Sequence, residues 1–326
     1  MNEQREHQMI EKRKLGRKGP ELTTVGFGAW AAGGPWHFGW GPQDDDESIA
    51  AIRHALDRGI NWIDTAAVYG WGHSEEVVGR ALHGVPRDEV YIATKCGRVK
   101  GDGDAPLGDL RPGSIRRQLD ESLRRLQTDY VDLYQFHWPD TTTGTPVEES
   151  WAMMARLQDE GKVRWVGVSN FSVELMERCQ AIRHVDSLQP PYSLLRREVE
   201  AEILPWCKAN GTGVICYSPM QAGILSGSFS LERVADDDWR RRNPIYQEPQ
   251  LSRNLAFVER LRPIANRHGK TVGQLAIAWV LANPAVTAAI VGARRPAQVE
   301  ENVLAMGFSL DEHTLAEIER AYAALD

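Results

Sequence analysis

The chain has 326 residues but only four cysteines, Cys96, Cys179, Cys207 and Cys216, and no C-x-x-C spacing among them. That usage reads as reduced, mostly buried thiols in a cytoplasmic protein. No apolar run approaches the roughly 20 residues a membrane helix needs. The Met1–Lys14 segment is charged and lacks the apolar stretch of a secretory signal. Basic residues do not dominate: the net charge is −7, and no Lys/Arg cluster lies beside aromatics. A nucleic-acid partner is therefore not expected. The nine histidines include no His-x-His or His-x-x-x-His pair, which argues against a metal-dependent barrel hydrolase. Neither a low-complexity linker nor a repeat beyond simple strand–helix alternation is visible. One domain over residues 1–326 is expected, with 1–11 as a flexible arm.

What is present is an ordinary soluble composition, 42% hydrophobic and 25% charged, in a regular alternation of short apolar runs and amphipathic stretches. Residues 12–25 suit a β-hairpin around Gly16, Gly19 and Pro20. The pattern predicts strands at 24–30, 60–64, 89–94, 130–136, 163–168, 185–189, 213–217 and 286–291. Helices are expected from Asp44 through Leu56, then near 74–83, 113–126, 147–160, 173–182, 197–209, 253–268, 272–283 and 297–305. Ser74 reads as the cap of the second helix, with Glu75 and Glu76 in its first turn. Eight strands, each followed by a helix, imply a parallel sheet closed into an α/β (β/α)8 TIM barrel. An open doubly wound sheet would want Gly-x-Gly-x-x-Gly after its first strand. Gly26-Phe27-Gly28 is followed by Ala29-Trp30-Ala31, so that motif is absent. Residues 218–252 form one long loop after the seventh strand, over the face where barrel active sites collect.

Reading the strand ends in turn gives Asp64 with Tyr69, then Lys95, His137, Ser169-Asn170, Gln189 and Tyr217. Each has a plain alternative: Asp64 as a local cap, Lys95 as a snorkelling lysine, His137 as a core histidine, Ser169-Asn170 as a helix cap. Their convergence on one face fits protonation of a carbonyl oxygen while hydride reaches its carbon. A phenol has a reference pKa of about 10. A nearby ammonium, held by Asp64, is expected to lower that of Tyr69 toward the working range. A histidine beside the phenol orients the substrate oxygen. Nothing in the set stores hydride, so a redox cofactor is required.

The stretches Ile63-Asp64-Thr65-Ala66-Ala67-Val68-Tyr69-Gly70, Ser74-Glu75-Glu76-Val77-Val78-Gly79 and Ala93-Thr94-Lys95 resemble the aldo-keto reductase family. So do Asp129-Tyr130-Val131-Asp132-Leu133-Tyr134-Gln135-Phe136-His137 and Gly167-Val168-Ser169-Asn170-Phe171. The likeness runs in order from about residue 12 to residue 324. His137-Trp138-Pro139-Asp140 and Leu188-Gln189-Pro190-Pro191-Tyr192 point to the bacterial general-stress and inositol-cluster type within it.

The resemblance implies NADPH-dependent, reversible reduction of aldehydes or ketones to alcohols. It assigns Tyr69 as acid, Asp64 and Lys95 as its tuning pair and His137 as substrate orienter. Ser169, Asn170 and Gln189 would bond the carboxamide of NADPH, with Tyr217 under its ring. Ser218, Pro219, Met220, Gln221, Gly223 and Leu225 would line the pyrophosphate, and Arg240 would fold over it. The adenosine end would meet Gly292, Arg294, Gln298, Glu301 and Asn302, with Arg294 on the 2′-phosphate. Better-known members carry Lys-Ser where this chain has Gly292-Ala293, a departure that bears on the preference over NADH. The substrate pocket falls to Trp30, Trp36, Phe38, Trp71 and Trp138. A small carbonyl substrate and a monomer in the cytoplasm are expected. The rival within the family is a regulatory barrel that holds the cofactor and turns over slowly.

Overall fold

The computed structural model of the chain describes residues 10–236 and 238–325. A hairpin of β1 (Lys12–Lys14) and β2 (Glu21–Thr23) comes first, with Arg13 opposite Leu22. Then β3 (Val25–Gly28), β4 (Trp62–Asp64) and β5 (Tyr91–Cys96) pair in parallel. A second hairpin, β6 (Arg98–Lys100) with β7 (Pro106–Gly108), stands outside the barrel. The remaining barrel strands are β8 (Val131–Phe136), β9 (Val163–Ser169), β10 (Ser187–Gln189), β11 (Gly213–Cys216) and β12 (Ala288–Gly292). These eight strands close in chain order, with β12 returning to pair with β3. The expected (β/α)8 barrel is the observed one.

Around it lie α1 (Asp45–Asp57), α2 (His73–Ala81), α3 (Pro112–Leu126), α4 (Val147–Asp159) and α5 (Val173–Gln180). They are followed by α6 (Ile203–Asn210), α7 (Gln250–Arg267), α8 (Val272–Ala282), α9 (Pro296–Val303) and α10 (Glu312–Ala323). The helix expected at 197–209 is split, because residues 198–200 form a separate tight turn before α6. Ser74 does not cap α2. Gly72 takes that position, and the Ser74 hydroxyl instead donates to the Ala29 carbonyl (2.7 Å) and lies 2.8 Å from Thr65 Oγ1.

The N-terminal hairpin closes the barrel floor. Leu15 and Leu22 are buried with Trp62, Ala93, Leu133 and Ile290 inside the barrel. The Trp62 indole fills the floor because Gly26 makes room: a Cβ there would lie 2.1 Å from the ring. Its Nε1 donates to the Thr23 carbonyl at 2.9 Å, so the buried indole dipole is satisfied. Arg17 N also donates to the Gly211 carbonyl, tying the hairpin to the start of β11. Glu11 accepts from Thr24 N, and Ile10 lies over Gly59. The rest of the proposed arm, residues 1–9, lies outside the described residues.

Strand alternation decides which side chains face the site. On β5, Ala93 and Lys95 point inward while Ile92, Thr94 and Cys96 point to the helices. The long loop after β11 carries four short helical turns, at Gln221–Ser226, Leu231–Arg233, Trp239–Arg242 and Pro244–Tyr246. Tyr246 anchors it, packing against Phe229 and Trp239 and donating to the Gln221 carbonyl at 3.1 Å.

Candidate active site

The strand-end residues form one connected polar network. Asp64 ends β4, and its carboxylate accepts from Lys95 Nζ (2.6 Å) and from Gln189 Nε2 (2.8 Å). Lys95 also donates to the Thr65 carbonyl (2.9 Å) and to the Tyr69 hydroxyl (3.2 Å). The phenol oxygen thus accepts from the ammonium and keeps its own hydrogen for another acceptor. Beyond Gln189 the network continues: Ser169 Oγ donates to the Gln189 carbonyl, and Asn170 Nδ2 donates to Ser169 Oγ and to the His137 carbonyl. Tyr217 closes it by donating to Asn170 Oδ1 at 2.8 Å. Asn170 holds a left-handed φ of 62°, a strained conformation common at functional sites.

Lys95, Asp64 and Tyr69 are all buried. Burial raises the Asp64 carboxyl and lowers the Lys95 ammonium, while the contact between the two opposes both shifts. The expected lowering of Tyr69 does not occur. Burial, with the Asp64 charge second, holds the phenol well above its usual range. The physical reason is that the Lys95 charge is directed at Asp64, so the phenol meets a nearly neutral pair in a dry setting. His137 stands edge-on to Tyr69, with centroids 5.6 Å apart and an interplanar angle of 78°. Burial, then the Lys95 and Arg98 cations, hold its imidazole well below the usual range, so the ring is neutral.

Tyr69 also stacks on Trp30 (5.6 Å) and touches Trp36 (5.9 Å), which meets Phe38 (5.8 Å). Trp71 joins this cluster, and Trp138 stands exposed beside His137. Trp30, Trp36 and Trp71 thus gather around Tyr69, and Phe38 reaches the cluster only through Trp36. The hairpin at 98–108 was missed by periodicity, because each strand has only three residues. Its one signal is the Gly101-Asp102-Gly103-Asp104 turn.

The other predicted residues lie on two further patches. Arg240 Nε and Nη2 donate to the Asp238 carboxylate, Nη1 reaches the Ala222 carbonyl, and the guanidinium lies 5.1 Å from the Trp40 ring centroid. Ser218, Gln221, Ala222 and Gly223 all hold positive φ, a tightly coiled turn beside it. The Leu225 side chain is buried in the hydrophobic core. Met220 packs close to Gly273, while Gln221 Oε1 accepts from Ser193.

At the start of α9, Arg294 Nε donates to Gln43 Oε1, Nη2 to the Pro42 carbonyl, and Arg294 N to Gln298 Oε1 (2.8 Å). Asn302 Nδ2 donates to the Gly292 carbonyl, and Glu301 is exposed. Gln298 and Asn302 therefore hold the Gly292–Arg294 backbone in shape. Among the described residues Arg294 faces no carboxylate, and the space above Gly292 is open apart from Gly28 O at 3.6 Å from an added Cβ. An uncompensated cation at a helix N-terminus, an open backbone and a coiled turn suit an extended polyanionic dinucleotide.

Residues 24–323 match the model of the "Aldo/keto reductase family". The chain belongs to the aldo/keto reductase family. It is therefore an NAD(P)-dependent oxidoreductase of small carbonyl compounds. It is 39% identical over 312 residues to "Aldo-keto reductase YhdN" of Bacillus subtilis, covering 95% of this chain and 92% of that one. It is 35% identical to "NADH-specific methylglyoxal reductase" of Escherichia coli, covering 93% and 95%. Among solved structures, the glycerol dehydrogenase AKR11B4 from Gluconobacter oxydans superposes with a TM-score of 0.88 at 37% identity, covering 97% and 96%. No helix among the described residues is long and apolar enough to cross a membrane.

Proposed function

We propose that this reductase converts aldehydes or ketones to alcohols, reversibly, with NADPH as reductant and Tyr69 as proton donor. The observation that carries the proposal is the buried Tyr69–Lys95–Asp64 chain at adjacent strand ends. When bound, NADPH supplies the hydride. A phenol kept protonated by burial donates a hydrogen bond to the carbonyl oxygen. Its proton moves as negative charge builds there, because an alkoxide is a far stronger base than a phenolate. The phenolate left behind has the Lys95 ammonium 3.2 Å away, and Asp64 keeps that ammonium in place. Neutral His137 donates to the same oxygen and fixes its direction. Trp30 and Trp36 keep water from the phenol.

The test is steady-state NADPH oxidation with a reactive aldehyde. Tyr69→Phe removes only the hydroxyl and is expected to lower kcat at least about 100-fold, the scale of general acid catalysis. NADPH affinity should hardly change. Near wild-type turnover would refute the assignment of Tyr69.

The preference for NADPH rests on Arg294, whose guanidinium stands at the α9 N-terminus with, among the described residues, only the neutral acceptors Gln43 and Pro42. Relatives differ in cofactor by name, one being "NADH-specific methylglyoxal reductase" and another "Aldo-keto reductase yakc [NADP(+)]". Charge-assisted hydrogen bonds contribute about 1.5–3 kcal/mol. Arg294→Ala is thus expected to weaken NADPH about 10- to 100-fold and NADH little, measured by fluorescence titration. Equal losses would mean that Arg294 only supports the loop around Gln43.

A further inference from the structure

We infer that the preferred substrates carry a carboxylate as well as the reacting carbonyl, and that Arg98 on the second hairpin binds that carboxylate. The inference rests on the carbonyl-reductase reading and names its substrate class as oxo acids and aldehyde acids.

Arg98 lies just past the end of β5, the strand that carries Lys95. Gly97 turns the chain there with φ 89°, and a Cβ at that position would meet Leu110 at 2.4 Å. The glycine lets the hairpin fold back at the rim of the site. On the neighbouring strand, His137 N donates to the Cys96 carbonyl at 2.9 Å, which sets Trp138 alongside. The Arg98 guanidinium then lies 5.6 Å from the Trp138 ring centroid. It is near enough to His137 to depress that imidazole.

The charge around Arg98 is unbalanced. The acid that acts on it is Asp140, but Asp140 is held elsewhere. Its oxygens accept from Leu110 N, Thr142 N, Thr143 N and Thr143 Oγ1. The other hairpin cation, Lys100, is paired with Asp104 at 2.6 Å. Among the described residues no carboxylate comes within ion-pair distance of Arg98, and its cation–π contact is with Trp138 alone. A partly desolvated guanidinium without an anionic partner is unfavourable, and a ligand carboxylate matches its planar fork.

The aromatic side chains beside Tyr69 carry no anion of their own to meet Arg98. Among the described residues the indole N–H groups of Trp36 and Trp71 are buried with no acceptor. The Arg98 cation at the rim is therefore unmatched, while the nearby acceptors of Asp64 and Asp140 are already engaged. A substrate carrying a carboxylate complements that rim, whereas a hydrocarbon aldehyde leaves the guanidinium unmatched.

The experiment compares 4-formylbenzoate with its methyl ester, which share the reacting group and ring. Purified enzyme is assayed with NADPH and NADH, each at saturation. Wild type is expected to favour the acid in kcat/KM by about 10-fold or more, mostly through KM and less so at high salt. Arg98→Gln should lower the acid-to-ester ratio about 10- to 100-fold, and Arg98→Lys should keep part of it. If wild type favours the ester, or if Arg98→Gln lowers both substrates equally, the carboxylate role is overturned. If neither aldehyde is reduced, the carbonyl-reductase reading falls with it. Reduction of the ester without preference for the acid overturns the carboxylate role alone.

Discussion

Thr94 and Lys95 are neighbours on β5, and each bonds the buried carboxylate of an ion pair on its own side of the strand. Inward, Lys95 pairs with Asp64 at 2.6 Å. Outward, Thr94 Oγ1 donates to Glu75 Oε1 at 2.6 Å, and Glu75 Oε2 accepts from Arg125 Nε at 2.7 Å. The two groups match in chemistry and nearly in burial. They differ in what stands beside them. The inner pair has a phenol whose hydrogen points at no protein acceptor in the network. The outer group is enclosed by α2 and α3, where Gly72 leaves room for the arginine: a Cβ there would lie 2.6 Å from Arg125 Cδ. Burial of charge therefore does not mark a site by itself. A site also needs an open neighbour to which the charge can respond.

Three measurements break or sharpen that contrast. The largest effect is expected from Lys95→Met, which removes the ammonium beside Tyr69. Turnover should fall at least about 100-fold, since the phenolate formed in reduction loses its stabilising charge. An unchanged kcat would place Lys95 with the structural group.

Arg125→Met is expected to do the reverse. It leaves Glu75 buried with Thr94 as its remaining side-chain partner, and breaking such a pair destabilises by about 3–5 kcal/mol. Urea unfolding should record that loss, while kcat measured on folded enzyme stays within about 3-fold, because no group touching substrate has changed. A 100-fold loss of kcat would erase the distinction between the two faces of β5.

The smallest effect is in pH dependence. His137 is held neutral in the folded chain, below the usual histidine range, whereas the unfolded chain takes up that proton near pH 6.5. Between those two values the unfolded state binds the extra proton, so stability falls as the pH falls. For one group the slope is at most about 1.4 kcal/mol per pH unit. His137→Gln should flatten the dependence between pH 5 and 6.5 in melts at fixed urea. Identical profiles for both proteins would mean that the imidazole titrates normally.

Much of this architecture was legible in the sequence because its signals are local. Buried runs of five to seven residues separated by amphipathic helices imply the barrel, and a strand's last inward residue is its site residue, as with Asp64 and Lys95. The β6–β7 hairpin was not legible, since three-residue strands carry too little periodicity against their turn. The protonation state of Tyr69 escaped for another reason. Proximity of an ammonium is visible in strand order, but how completely Asp64 absorbs its charge is a matter of three-dimensional contact.

The second hairpin pairs only with itself, and its two cations reach the pocket through Trp71 and Trp138. Tyr69, Lys95 and Asp64, the groups proposed to move the proton, lie on strands and strand ends that the whole barrel braces. On the carboxylate proposal, substrate preference and reaction chemistry reside in separate segments. Exchange of residues 98–108 is then expected to shift the choice of carbonyl compound while Tyr69, Lys95 and Asp64 stay in place.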